Sequence, residues 1–367
     1  MRLAFAIVSL FPWGGLQRDC LRLARAAMDA GHQVTIFAAQ VQGDIAGDIH
    51  VEVLPARALT NHGRNRRFGR ALQRAASRRF DRLIGFDKLP GLDVLYCGDL
   101  CFAEREFGFW SRLNPRVRAM IELEGACFSV ASRTRVLVLA DAQAEAYRRA
   151  WRTPPERLRI LPPPLDPSRR HPEFRTDGTR ERMRRELGLA ADHLVCLCVG
   201  AWAHRKGFDR AVAALTESPR GKLLICGIGP AAREGAQLLA QASRLGVAER
   251  VQLLGPRDDV ARLMAAADLL VHPARAETTG TVILEAIING LPAIATEVCG
   301  FAPHVKKADA GIVLREPFQQ SALNQAIETA TASSLRARWS AHAAAYGADS
   351  ELYAGIDRAL QAICSTR

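Results

Sequence analysis

Asp268-Leu-Leu-Val-His-Pro273, followed after three residues by Glu277-Thr-Thr-Gly-Thr-Val-Ile-Leu-Glu285, decides how this chain is read. The first run is short, apolar and closed by proline, the pattern of a buried strand. From about Thr279 onward, Val282, Ile283, Ala286, Ile287 and Gly290 recur at helical spacing. Glu277 therefore falls in the loop before a helix, and Glu285 about two turns inside it. Gly280 and Thr281 hold the helix N-terminus, where free backbone N–H groups attract an anion such as a phosphate. A loop carboxylate, a phosphate-binding helix start and a second carboxylate can grip a nucleotide-sugar at its sugar, diphosphate and ribose. Eight residues of helix rise about 12 Å, which suits a ligand of that length. The glycosidase arrangement, with carboxylates roughly 5–10 Å apart across one bond, fits less well. The plainer alternative is an amphipathic helix with two unrelated surface glutamates.

The same strand–helix alternation extends outward in both directions. In the first half, strands are expected at 3–9, 33–38, 51–54, 82–85, 94–97, 135–139 and 159–161, with helices at 16–30, 64–79, 115–131 and 142–151. In the second half, strands are expected at 193–200, 222–226, 250–253, 269–272 and 293–295, with helices at 208–215, 232–245 and 260–267 besides the one carrying Glu285. From about Gln319 the chain reads as helical in several pieces. Short buried strands alternating with helices indicate parallel sheets covered on both faces. Pro162-Pro-Pro-Leu-Asp-Pro167 is stiff and extended, the best linker in the chain. The expected α/β architecture is two doubly wound, Rossmann-like domains, residues 1–165 and 166–348, with a final helix at about 349–367 packing back on the first. Ligands of such sheets bind at the carboxyl ends of the strands, so two domains facing across a cleft would hold two different molecules.

A chain of 367 residues that is 49% hydrophobic can fill two cores. No apolar run has the length of a membrane-spanning helix. The segment Leu3–Leu10 imitates a signal-peptide core, but Phe11-Pro-Trp-Gly-Gly15 replaces a small-residue cleavage site, so a first strand is expected. The nine cysteines are odd in number and several lie in apolar runs, which fits reduced thiols in the cytoplasm. Cys97 and Cys101 have no companion pair or histidine cluster, which argues against zinc.

The net charge of +12 is unevenly spread: residues 1–165 hold 25 basic and 16 acidic side chains, an excess of 9. Arg66, Arg70, Arg74 and Arg78 recur every four residues, one stripe on a helix. Phe107, Phe109 and Trp110 are interleaved with Arg105, Arg112, Arg116 and Arg118, a mixture suited to an anionic lipid surface. A solvated helix face and an inward-folded loop are the plainer alternatives. No helix-turn-helix, zinc-finger or RNA-binding signature accompanies the charge, so no nucleic-acid partner is expected.

Gly14-Gly15 sits between the first strand and first helix, where backbone can approach a phosphate, but the later glycine of a dinucleotide fingerprint is missing. Arg205-Lys206-Gly207 follows a strand and precedes a helix, placing a guanidinium fork and a point charge where a diphosphate would lie. The chain has no Asp-x-Asp pair for magnesium, and Asp258-Asp259 reads as a cap of the next helix. If a diphosphate leaves here, these cations and the helix N-terminus must neutralise it without metal.

These motifs resemble the retaining glycosyltransferases of family 4, with the two-domain GT-B fold, over nearly the whole chain. Within that family the chain is more closely similar to the lipopolysaccharide core glucosyltransferases that transfer to a heptose with an α-1,3 linkage. The strings that carry this likeness are Phe11-Pro-Trp-Gly-Gly-Leu-Gln-Arg-Asp19, Asn61-His-Gly-Arg-Asn65, Gly85-Phe-Asp-Lys-Leu-Pro-Gly-Leu-Asp93, Ile160-Leu-Pro-Pro163, Ala265-Ala-Ala-Asp-Leu-Leu-Val-His-Pro273 and Val298-Cys-Gly300. The resemblance implies that Gly15 offers its N–H to the donor diphosphate and that Asp19 and Asp99 lie near the reacting sugar and acceptor. It implies that Arg205 and Lys206 hold the diphosphate, Glu277 binds sugar hydroxyls, Gly280 and Thr281 bind phosphate, and Glu285 binds the ribose. Arg169 is expected near the donor and Arg257 near the base. The implied partners are a UDP-sugar, the lipopolysaccharide core and an anionic membrane, met by a peripheral protein on the inner face of a Gram-negative inner membrane, with no cofactor or metal. Departures surround the donor sugar: Ala203-His204 replaces an aromatic-glycine pair, Pro164 replaces glycine, and Thr278 is unusual. Glucose is the favoured donor, with galactose and N-acetylhexosamine left open. A sugar-nucleotide epimerase and a non-catalytic nucleotide-sugar binding protein are the rival readings.

Overall fold

A computed structural model describes residues 1–12, 14–45, 47–77, 79–105 and 113–365. The chain divides into two compact units, Met1–Pro164 with Tyr353–Arg367, and Leu165–Leu352. The border between them falls inside the proline-rich stretch.

The first unit contains β1 (Arg2–Leu10), α1 (Gly15–Asp29), β2 (Gln33–Val41), β3 (His50–Val53), α2 (Asn61–Ala76), β4 (Arg82–Gly85), β5 (Val94–Cys97), α3 (Pro115–Phe128), β6 (Arg135–Val138), α4 (Asp141–Trp151) and β7 (Leu158–Ile160). All pairings are parallel, in the order β3-β2-β1-β4-β5-β6-β7. The two-residue period of a strand sorts β1 between two cores. Leu3, Phe5 and Ile7 pack with Leu23 and Ala27 of α1. Ala4, Ala6 and Val8 pack with Phe68 and Leu72 of α2, Phe128 of α3 and Tyr147 of α4. Because both faces are covered, these strands read as continuous apolar runs rather than as alternation.

The second unit contains α5 (Thr179–Glu186), β8 (Leu194–Val199), α6 (Ala203–Lys206), α7 (Phe208–Ala214), β9 (Gly221–Cys226), α8 (Arg233–Arg244), β10 (Val251–Gly255), α9 (Val260–Ala266), β11 (Leu269–His272), α10 (Thr281–Ile288), β12 (Ala293–Thr296), α11 (Ala302–Lys307), β13 (Gly311–Leu314), α12 (Gln320–Thr329) and α13 (Ser333–Tyr346). Its six parallel strands run β10-β9-β8-β11-β12-β13. The final helix, α14 (Gly355–Cys364), belongs to the first unit, where Ile356, Ala359 and Ile363 join the core beside α1.

Each sheet reverses its strand order once, between β1 and β4 in the first unit and between β8 and β11 in the second. The crevice at the carboxyl ends of such a pair is where ligands of doubly wound sheets bind. Among the described residues, no helix is long and apolar enough to cross a membrane.

Several local expectations shift. The helix carrying Glu285 starts at Thr281 rather than about Thr279, because Gly280 takes the left-handed conformation (φ 74°) as its N-cap. Helix α2 starts at Asn61, three residues earlier than expected, because the Thr60 hydroxyl accepts the Gly63 N–H at 3.2 Å and caps it. Asp259 occupies the N-cap position of α9, but its carboxylate pairs with Arg257 at 2.7 and 2.6 Å instead of capping the helix. Helices α5 and α11 and the edge strand β13 are further elements beyond those expected from the sequence.

Candidate active site

At the switch point of the second unit, the loop after β8 carries the short helix α6, which presents Arg205 and Lys206. Trp202 before it and Gly207 after it both have positive φ, 67° and 72°. At Gly207 a side chain is disfavoured by φ and blocked by contact, because its Cβ would lie 2.0 Å from the carbonyl oxygen of Pro273. The loops after β8 and β11 thus run backbone against backbone. Arg275 fastens them. Its N–H donates to Arg205 O at 2.8 Å, and its guanidinium donates to His204 O at 2.7 Å and to both oxygens of Asp209 at 2.7 and 2.6 Å.

This fastening delivers two cations to Glu277, which is 8% exposed. Arg205 Nη2 donates to Oε1 at 3.1 Å and Lys206 Nζ to Oε2 at 2.7 Å. The Thr278 N–H also donates to Oε1, at 3.1 Å. Burial pushes the Glu277 carboxyl up, but the nearby His272 and the charge and hydrogen bond of Lys206 outweigh it and hold the group well below the usual carboxylate range. Glu277 is therefore a permanent anion with two positive partners. A lone parallel bridge to Cys299 and a 2.7 Å bond from the Phe301 N–H to Thr279 O pin the loop that follows. Gly280 then opens α10, where the Ile283 N–H turns back to Gly280 O at 2.8 Å and the N–H groups of Thr281 and Val282 have no carbonyl one turn earlier within the helix.

Glu285, on the second turn of α10, accepts from Arg169 Nη1 at 3.0 Å. Asn289 keeps Arg169 there: its Nδ2 donates to Arg169 O at 2.9 Å and to Glu285 O at 2.7 Å, and its Oδ1 accepts the His171 N–H at 2.6 Å. Arg257 lies beyond the end of β10, held by Asp259.

In the first unit, Gly15 is exposed at the start of α1, with open space where a Cβ would stand. Asp19, on the same helix, accepts from the buried Tyr96 hydroxyl at 3.0 Å. Asp99 follows β5 with an exposed side chain, while its carbonyl oxygen is clamped by Gln143 Nε2 at 2.8 Å and Tyr147 Oη at 3.1 Å. Behind it, the buried ion pair Lys88–Glu124, at 2.6 Å, fixes the loop. Glu124 also accepts the N–H groups of Phe102 and Ala103 at 2.8 and 2.9 Å and Trp151 Nε1 at 2.9 Å. Breaking such a pair from one side costs roughly 3–5 kcal/mol.

Asp87, after β4, was not singled out from sequence. It accepts the Val8 N–H at 2.6 Å. Burial raises its carboxyl to about 6; the Val8 bond opposes this, and Asp99 adds to it. In the sequence Asp87 stands two residues past a strand, inside the string Gly85-Phe-Asp-Lys-Leu-Pro-Gly-Leu-Asp93.

The basic stripe is divided in its surroundings. Arg66 is paired with Glu122 of α3, whereas Arg70, Arg74 and Arg116 are exposed. Arg78, Trp110 and Arg112, with Phe107 and Phe109, lie outside the described residues.

Two doubly wound parallel sheets, one bringing paired cations against a carboxylate beside a helix N-terminus, have the architecture of a GT-B glycosyltransferase. Residues 13–169 match the family described as Glycosyltransferase Family 4, and residues 179–346 match Glycosyl transferases group 1. The chain belongs to this family. It is 38% identical to the lipopolysaccharide glucosyltransferase WaaG of Escherichia coli (strain K12), over 99% of this chain and 98% of that protein. The crystal structure of WaaG, a glycosyltransferase involved in lipopolysaccharide biosynthesis, superposes with a TM-score of 0.92 at 37% identity, covering 99% of this chain and 100% of that one. Anabaena Alr3699/HepE in complex with UDP-glucose shares the fold, with a TM-score of 0.77 at 20% identity over 99% and 98% of the two chains.

Proposed function

We propose that this protein is a retaining hexosyltransferase that moves a hexose, glucose in the favoured case, from a UDP-sugar to a heptose of the lipopolysaccharide inner core. One observation carries the reading: Arg205 and Lys206 converge on Glu277 immediately before the N-terminus of α10, and Glu285 lies further along that helix. Similarity to WaaG over the whole chain supports the acceptor class.

In this reading Glu285 leaves Arg169 to take the ribose hydroxyls, and Glu277 accepts hydroxyls of the sugar. Arg205, Lys206 and the N–H groups of Gly280 and Thr281 face the diphosphate. As the bond from C1 to the diphosphate oxygen breaks, negative charge grows on the leaving group, and these donors stabilise it more than they stabilise the ground state. They supply the charge that a metal supplies elsewhere, so no metal or cofactor takes part. The acceptor hydroxyl attacks C1 from the face the diphosphate leaves, and its proton passes to the departing phosphate oxygen. Gly15 contributes its N–H to the donor diphosphate. Asp19 and Asp99 orient the acceptor, and Arg257 stands near the base. Arg70, Arg74 and Arg116 make a peripheral contact with the anionic inner face of a Gram-negative inner membrane, each contributing about 1 kcal/mol near the surface.

The test is transfer onto lipopolysaccharide truncated at its heptoses, from UDP-glucose, UDP-galactose and UDP-N-acetylhexosamines, in excess EDTA. Glucose transfer is expected. Absence of transfer from every donor, or transfer only after magnesium or manganese is restored, would contradict the reading.

A further inference from the structure

His272 closes β11 inside the donor site and has no exposed surface. Neither ring nitrogen has a hydrogen-bond partner among the described residues. A buried polar group left without a partner is destabilising. Nε2 nonetheless stands 3.6 Å from Glu277 Oε2, just beyond hydrogen-bond length.

The partners of Glu277 sort into two kinds. Each oxygen faces one cation on α6: Arg205 on Oε1 at 3.1 Å and Lys206 on Oε2 at 2.7 Å. Each also faces one fixed group of the protein interior, the Thr278 N–H at 3.1 Å from Oε1 and His272 Nε2 at 3.6 Å from Oε2. A diphosphate competes for the two cations only. When they turn to it, a buried carboxylate must keep its charge on the interior pair alone.

We propose that His272 is a positioning residue that takes the place of Lys206 on Glu277: its Nε2–H closes on Oε2 as Lys206 moves to the donor diphosphate, holding the carboxylate for the sugar hydroxyls. The inference rests on the donor reading above. Burial lowers the proton affinity of the imidazole, with Lys206 and Arg205 acting in the same direction against the pull of Glu277, so the ring is neutral and carries one proton. A proton on Nδ1 would aim the Nε2 lone pair at the carboxylate, which is repulsive. The proton on Nε2 is the tautomer that serves both states.

The experiment uses the wild-type protein, labelled with nitrogen-15 at histidine, with and without saturating UDP, the His272 signals being assigned through H272Q. The expected result is a neutral ring protonated at Nε2, whose proton resonance moves downfield when UDP binds. A ring protonated at Nδ1, or one that ignores bound UDP, would overturn the proposal. Kinetics gives a second readout. His272→Phe should lower kcat/KM for UDP-sugar roughly ten- to a hundredfold, the value of one hydrogen bond to a charged group. His272→Gln, which keeps an N–H donor near Nε2, should recover most of the loss. Equal losses in both variants, with wild-type melting temperatures, would also overturn it. If UDP does not bind the wild-type protein, the donor reading itself falls and this inference with it. If UDP binds and His272 is silent, only the inference falls.

Discussion

Replacing Glu277 by glutamine tests the donor grip through an effect of unusual sign. In the structure Glu277 occupies Arg205 and Lys206, the two cations that the proposed donor grip assigns to the diphosphate. The Lys206 side chain is 18% exposed and bonds Glu277 at 2.7 Å. The Arg205 side chain is 45% exposed, so solvent screens its 3.1 Å bond. A partly buried charged hydrogen bond is worth roughly 1.5 kcal/mol, and a half-exposed ion pair about 0.5. UDP must displace both, a cost of about 2 kcal/mol that the glutamine variant largely escapes, so UDP should bind about thirtyfold more tightly. Turnover should move the other way. The sugar hydroxyls lose a charged acceptor, and kcat with UDP-sugar should fall at least about tenfold. Titration calorimetry with UDP, alongside steady-state kinetics, reads both. Unchanged or weaker UDP binding in a variant that melts normally would show that Glu277 does not compete with the diphosphate.

Further outcomes follow from other contacts. Glu285→Gln should weaken UDP and UDP-sugar alike by roughly tenfold, since both carry the ribose, and a loss confined to UDP-sugar on the calorimeter would contradict this. Asp87→Asn should raise the melting temperature at pH 8. A folded-state carboxyl raised to about 6 subtracts stability as pH rises from about 4, its ordinary value, through 6, and the loss is complete above that. The gain should therefore shrink as pH falls through 6 and vanish near 4, and a pH-independent gain, or a loss, would rule it out. Arg70→Gln combined with Arg74→Gln should weaken binding to vesicles rich in anionic lipid and leave hydrolysis of UDP-sugar unchanged. Binding that ignores both this variant and added salt would assign the attachment to another surface.

Most of the scaffold was legible because its strands are buried on both faces, so β1, β8 and β11 stand out as apolar runs bounded by turns. The exceptions are informative. β13 is a four-residue edge strand whose burial is mostly partial, and its neighbour α11 has only six residues, so neither shows a full period. The start of α10 was misplaced because threonine tolerates both sides of the boundary and Gly280 alone decides it. Arg205, Lys206, Glu277 and Glu285 stand out as candidates from motif spacing, but the pairing of Arg205 and Lys206 with Glu277 and of Arg169 with Glu285 does not. Arg275 and Asp209 are 66 residues apart, and nothing local marks their pairing. Glu124 reads as one more charged residue on a surface helix, and only tertiary packing reveals it as the buried partner of Lys88. His272 lay in full view within an apolar strand, where its type was the single cue.

The central claim is that Arg205, Lys206 and the start of α10 suffice to expel a diphosphate and deliver the sugar to the same face of C1. It is tested most directly by the anomeric configuration of the transferred sugar, made by chelator-treated protein from a UDP-α-hexose and read by NMR of the isolated product. The account predicts an α linkage, formed at an undiminished rate in EDTA. A β linkage, or no product until a divalent metal is added, would contradict it.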